Sequence, residues 1–287
     1  MSIVEPLTAE IARIIRARID ADRLVLPAFP ATATRCSQLL KDPNVNTKRV
    51  ATLLESDPVF AALVLRAAST ANFGGQPAAS LEQAIGRLGL NSLRSLLIQA
   101  AARAIFESSD RAINQRMALV WKHSVAVAVM ARDIAALMQA GDGETAYLAG
   151  LLHDVGKPIV AGMLRELERS LGRKVQLTPE QFTAAIDQTH RPVGIALAEK
   201  WNLPADVITA ITDCSEYTAG DRKNAANIVR FANALVKKHG LASGSFDSDD
   251  VGAMIMIGRS MLALDEDVVG RLAGGLNQRL EAITTAA

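Results

Sequence analysis

Residues 80–97 read SLEQAIGRLGLNSLRSLL, and this stretch decides the fold. Ser80 followed by Gln83 is the pattern of a capping box, in which side chains satisfy the free N–H groups that open a helix. Behind it, Ile85, Leu88, Leu93, Leu96 and Leu97 recur at helical spacing, broken by a turn at Gly89. The same punctuation appears elsewhere. Ser56-Asp57-Pro58 sets a capping side chain before a proline at the first helical position, where the missing N–H costs nothing. Thr178-Pro179-Glu180-Gln181 joins a box to a first-turn proline. Composition agrees: aromatic residues are 4% of the chain and Ala and Leu are abundant, which favours helix over sheet. Val251 to Ile257 would suit a strand by composition alone but sits among helical segments. The expected fold is all-α.

The chain has 287 residues, 49% hydrophobic and 21% charged, enough to bury a core without staples and far from a disordered composition. With 31 Lys+Arg against 30 Asp+Glu the net charge is +1, so no basic excess exists for a whole-surface nucleic-acid or membrane binder. Cys36 and Cys214 are far apart and form no CxxC, which suits a reducing compartment and excludes a cysteine-rich zinc site. The N-terminus carries Glu5 and Glu10 and lacks the order of a signal peptide; the apolar run from Val125 is broken by Arg132 and Asp133. A soluble, cytoplasmic protein is expected.

Four stretches organise the chain. Residues 1–24 form an amphipathic helix whose Ile11, Ile14, Ile15 and Ile19 make a wide apolar face. It is expected to pack on its own first lobe, with pairing to a second copy as the minor alternative. Leu26-Pro27-Ala28-Phe29-Pro30 forces an extended entry into a first helical lobe, 25–110, whose Phe73-Gly74-Gly75-Gln76-Pro77 is loop. A second lobe covers 111–240, and a Gly/Ser/Asp connection leads to a helical tail, 241–287, that either covers a groove or extends the bundle.

Chemistry-bearing residues gather in the second lobe. His123 opens the segment before VAVAVMARDIAALM, and His153-Asp154 follows within Gly150 to Pro158. On one helix, adjacent His and Asp side chains project about 100° apart, and both reach an ion in the groove between two helices. His123 on a facing helix supplies a third ligand. On spacing alone the stronger alternative is a satisfied, partly buried imidazole, with Asp154 as a cap or ion pair for Lys157. Lys157 reads first as a solvated or helix-dipole residue and second as a phosphate contact. Trp121 and Trp201 read as core anchors.

Taken in order, several motifs resemble the HDOD family, a degenerate branch of the HD superfamily found in bacterial signalling proteins. They are Leu26 to Pro30, Asp57-Pro58, Leu65 to Gly74, Ala84 to Gly89, Trp121 with His123 and Ser124, Gly150 to Lys157, His190-Arg191-Pro192-Val193-Gly194, and Trp201-Asn202-Leu203-Pro204. Together they span residues 24 to 240. The resemblance implies an N-terminal helical bundle packed on an HD-like bundle, and a regulatory role in signal transduction. The superfamily's hydrolases hold metal with a His, a His-Asp pair and a later Asp; carried over, the first three are His123, His153 and Asp154. His190 matches a further histidine of the HD-GYP branch. The final Asp falls on the segment Ile228 to Leu235, where this chain has Asn233, and no Gly-Tyr-Pro occurs. An amide offers a neutral oxygen where the site needs an anion. Asp213 and Asp187 are the candidate replacements, Asp187 the better because it lies one helical turn before His190, although the stronger reading of Asp187 is an exposed helical carboxylate.

Two functions of different class follow from the resemblance. The favoured one is a non-enzymatic signalling module that works by contact with a protein partner, with the His/Asp cluster left as a structural relic or a weak site for a divalent metal. The other is a metal-dependent phosphohydrolase for a nucleotide or cyclic dinucleotide, with a divalent ion on His123, His153 and Asp154 and with His190 and Lys157 on the phosphate. Neither reading involves a membrane or nucleic acid. A homodimer is a third and weaker reading.

Overall fold

The structure is a computed structural model that describes residues 4–70, 75–140, 143–171, 177–212, 216–244, 246–277 and 279–280. Among these residues there is no strand, and no helix is long and apolar enough to cross a membrane. Two compact units are present. One is built from the described residues of 1–27 and 103–273, the other from those of 28–102 and 274 onward.

The second of these units contains helices α2 (Ala31–Leu39), α3 (Thr47–Glu55), α4 (Pro58–Ala68), α5 (Leu81–Leu88) and the start of α6 (Leu90–Ile105). Its core includes Val50, Leu54, Phe60, Val64, Ile85, Leu93 and Leu97. Each such side chain contributes on the order of 1.5–3 kcal/mol of burial. The punctuation expected from sequence sets the helix starts. Asp57 accepts from the N–H groups of Val59 and Phe60 at 3.2 and 3.3 Å, with Pro58 behind it at the first helical position. Ser80 Oγ accepts from the Gln83 N–H at 3.1 Å, but the Gln83 side chain accepts from Ala79 rather than Ser80, so the expected box is completed one residue upstream. Gly89 has φ +77°, a positive-φ conformation open to glycine that lets α5 stop and α6 begin at once. Phe73 and Gly74 lie outside the described residues; Gly75, at φ +67°, and the Gln76 carbonyl held by Arg87 Nη1 at 2.6 Å complete that loop.

The first unit is organised around α7 (Arg111–Leu137), capped by Asp110. From Trp121 to Ala131 every side chain of α7 except Lys122 is buried, the signature of a central helix. Around it pack α8 (Gly143–Leu152), α9 (Gly156–Leu171) and α12 (Ala225–Lys238). α10 (Pro179–Lys200) packs on α9 and on α11 (Ala205–Thr212). The box at Thr178 is complete here: Thr178 accepts from Gln181 N at 3.3 Å and its own N–H donates to Gln181 Oε1 at 2.9 Å.

Two expectations are revised. Helix α1 (Val4–Asp20), expected against the first lobe, packs on α10. Ile11 and Ile15 are buried, and the chain that follows is tied to the same helix end, with Lys200 Nζ and Trp201 Nε1 donating to the Leu26 and Pro27 carbonyls at 3.0 and 3.1 Å. The division between units falls at 102/103 within α6, earlier than residue 110. Of the two expectations for the residues after 240, extension of the bundle is what α13 (Ser248–Met261), which includes Val251 to Ile257, does: it packs on α12, and Tyr217 Oη donates to the Met254 carbonyl at 2.9 Å. α14 (Glu266–Gly274) follows.

Candidate metal centre

His123 lies in the middle of α7, and its facing partners come from where α8 ends. α8 stops at Leu152; His153, Asp154 and Val155 form a turn, and α9 starts at Gly156. The pair therefore sits on a helix–helix corner and not on one helix as expected. The cause is close backbone packing. A Cβ on Gly156 would overlap the His190 carbonyl oxygen, so α9 enters against α10 only because residue 156 has no side chain. Gly150 does the same for α8, where a Cβ would stand 2.8 Å from Ala128 Cα of α7. These two contacts bring α7, α8, α9 and α10 to one point.

At that point His123, His153, Asp154 and His190 are 1%, 4%, 5% and 8% exposed. Each imidazole turns Nδ1 to a backbone carbonyl: His123 to Leu241 at 2.8 Å, His153 to Gly150 at 2.7 Å, His190 to Ile186 and Asp187 at 3.0 and 3.1 Å. A carbonyl only accepts, so this geometry assigns the proton to Nδ1 and leaves Nε2 as a lone pair. All three Nε2 atoms point at one carboxylate. His153 and His123 lie 3.5 and 4.0 Å from Asp154 Oδ2, and His190 lies 3.5 Å from Oδ1. Nε2 of His123 and of His153 is buried and makes no hydrogen bond.

Electrostatics keep the imidazoles neutral. Burial, reinforced by His153, pushes the pKa of His123 down to about 3; burial also lowers His153 and His190. Asp154 stays well below the usual carboxylate range. Burial alone would raise it, but the charge of Lys157, joined by His153, His190 and His123 at the low pH where those rings carry a proton, outweighs that penalty. With the imidazoles neutral, Lys157 is the full positive charge in this group. Its Nζ lies 2.7 Å from Asp154 Oδ2 and 3.5 Å from Ser243 Oγ, and its side chain is 17% exposed. The lysine is an ion-pair partner of the cluster and not a solvated residue.

The other expected residues separate. His123, His153 and Asp154 bring one ligand atom each to within 4.8 Å of one another, the group among the described residues that could hold a metal ion. Asn233 of α12 lines the adjoining cavity of about 350 Å³, with its Oδ1 buried and making no hydrogen bond. Asp187 is exposed at the cavity edge and does not join the cluster; only its backbone carbonyl reaches His190. Asp213 lies outside the described residues. Trp121 and Trp201 are both buried anchors. Sequence reasoning missed the segment after α12, which supplies the Leu241 carbonyl and Ser243. It also missed Arg116, Arg191 and Lys237, which line the cavity. Lys237 lies one turn after Asn233 on α12, a spacing that could have signalled it.

Two imidazole lone pairs without partners, converging with a carboxylate, fit a borderline divalent ion as part of its shell. The backbone carbonyls on Nδ1 are the outer contacts that fix ligand orientation in such sites.

An HDOD domain profile matches residues 26–217. The chain is 25% identical over 244 residues to an uncharacterised protein of Treponema pallidum (strain Nichols); the match covers 82% of this chain and 46% of that protein, so the chain spans under half its relative's length. Among solved structures, a protein of Shewanella amazonensis SB2B provisionally named a metal-dependent phosphohydrolase superposes with a TM-score of 0.72, at 21% identity over 94% of this chain and 99% of that one. An HDOD domain protein of unknown function from Geobacter sulfurreducens gives 0.69 at 23% identity, over 98% and 99%. At these identities the structural likeness concerns the fold. Asn233, Leu241 and Ser243 lie beyond the matched residues.

Proposed function

The chain belongs to the HDOD domain family, and on that premise we propose that it is a regulatory module of bacterial signal transduction that acts in the cytoplasm through contact with a protein partner, without hydrolysing phosphate. The observation that carries this reading is the charge of the cluster. Its one carboxylate, Asp154, is already paired with Lys157 at 2.7 Å, and the position where a second anion would serve a metal is the amide Asn233. A site that is neutral before an ion arrives attracts a divalent cation weakly and gives little purchase on the water it would activate. The test is turnover of mononucleotides and cyclic dinucleotides with Mn²⁺, Zn²⁺ or Mg²⁺, in the full chain and in His153→Ala. No metal-dependent turnover is expected in either. Turnover in the native chain that His153→Ala abolishes would overturn the reading.

A specific observation favours the second reading, a metal-dependent phosphohydrolase: the unsatisfied Nε2 lone pairs of His123 and His153 aimed at Asp154. Here these three residues would hold the ion, which would supply Lewis-acid chemistry for phosphate hydrolysis. Lys157 and His190 contact the phosphate, and Arg116 and Arg191 at the cavity attract the anion.

A further inference from the structure

The cluster contains one carboxylate and one cation already seated on it. From this we infer that Lys157 is a tethered competitor for the divalent ion: its ammonium takes the charge that the ion would need, so the site binds metal only by displacing the lysine. This deepens the proposed function by naming what silences the site. Its test reads ion binding, whereas the proposed function is tested by turnover, so the two fail separately.

Three features carry the inference. The first is tethering. The Lys157 N–H donates to the Asp154 carbonyl at 2.9 Å, which fixes the lysine three residues from the carboxylate while its Nζ reaches Oδ2 at 2.7 Å. Both side chains are largely shielded from water, so salt screens the pair little. The second is incomplete satisfaction. The ammonium neutralises Asp154 but leaves Nε2 of His123 and of His153 without a hydrogen bond. The pocket thus keeps the geometry of a metal shell while lacking its charge. An ion placed beside the ammonium meets like-charge repulsion at short range. A second carboxylate would offset that repulsion, and Asn233 supplies none. The third is an alternative seat. Ser243 Oγ, 3.5 Å from Nζ, offers an acceptor to a displaced lysine. Two imidazoles and one carboxylate select Zn²⁺ over Mg²⁺, which prefers oxygen ligands.

The experiment is calorimetric titration of Zn²⁺ alone and Mn²⁺ alone into the full chain, its Lys157→Met, Lys157→Gln and Asn233→Asp variants, and Lys157→Met combined with His153→Ala. The lysine variants should bind at least about tenfold tighter than the native chain, a change of about 1.4 kcal/mol. Asn233→Asp should also tighten binding, and His153→Ala should erase the gain. Lys157→Met leaves Asp154 uncompensated, so its unfolding temperature should rise with Zn²⁺ by more than that of the native chain. Ion binding in both lysine variants that is equal to or weaker than native overturns the inference. So does failure of both to fold whether refolded with Zn²⁺ or with chelator.

Discussion

His123 shows how burial and charge are balanced in single residues of the cluster. In the folded chain its pKa is about 3, against an ordinary value of 6.5. Between these values the unfolded chain binds a proton that the native chain excludes. Stability contributed by the neutral ring is therefore fully present above 6.5 and is lost as pH falls, by about 1.4 kcal/mol per pH unit. His153 and His190 are shifted the same way and steepen the same slope. Asp154, lowered as well, adds a separate loss only below the ordinary carboxylate range. His123→Gln should flatten the dependence by about 1.4 kcal/mol per pH unit, read from urea unfolding between pH 5.5 and 4, below the ordinary value and above the folded one; an unchanged slope counts against a neutral buried ring. The sequence made His123, His153 and Asp154 legible because the residue types and their order carry the signal. It offered two readings of Lys157, a solvated residue and an ion pair with Asp154, and the second is the one the fold adopts. An i,i+3 spacing to Asp154 is visible in the sequence, but the burial that turns such a spacing into a shielded ion pair is not.

Between elements, the centre depends on how closely α9 and α10 approach. Gly156 meets the His190 carbonyl with no room for a methyl group, whereas Gly162, further along α9, has open space around it. Gly156→Ala should therefore force α9 and α10 apart and cost about 1–3 kcal/mol. Gly162→Ala should be neutral or stabilising by up to about 1 kcal/mol, since alanine is the better helix former. Chemical denaturation of the two variants checks this, and equal effects would refute the packing account. Helix starts were readable because capping is a local matter of a few residues, as at Asp57, Ser80 and Thr178. The corner at His153-Asp154 was not, because Gly156 ends up there by contact with α10, some thirty residues on.

Across the whole molecule, the N-terminal helix closes the unit that contains the centre. Ile11 and Ile15 are 5% and 3% exposed, and α1 covers α10, the helix that carries His190. Removing residues 1–24 should uncover α10, lower the unfolding temperature and promote aggregation. Light scattering and calorimetry of the truncated chain read this directly; a truncated chain as stable and monodisperse as the native one would refute it.

The all-α fold, the helix starts, the family and three ligand candidates were determined by the sequence alone, because spacing, capping and residue order are local properties of the chain. Tertiary structure decided the rest. It set α1 on α10, brought the Leu241 carbonyl and Ser243 back to the cluster, and kept the Asp187 carboxylate out of it. It also placed the Lys157 ammonium on Asp154 with imidazole lone pairs left over beside it. Those outcomes depend on which faces are buried together and at what distance, and charge in a low-dielectric interior acts through distance and not through sequence order.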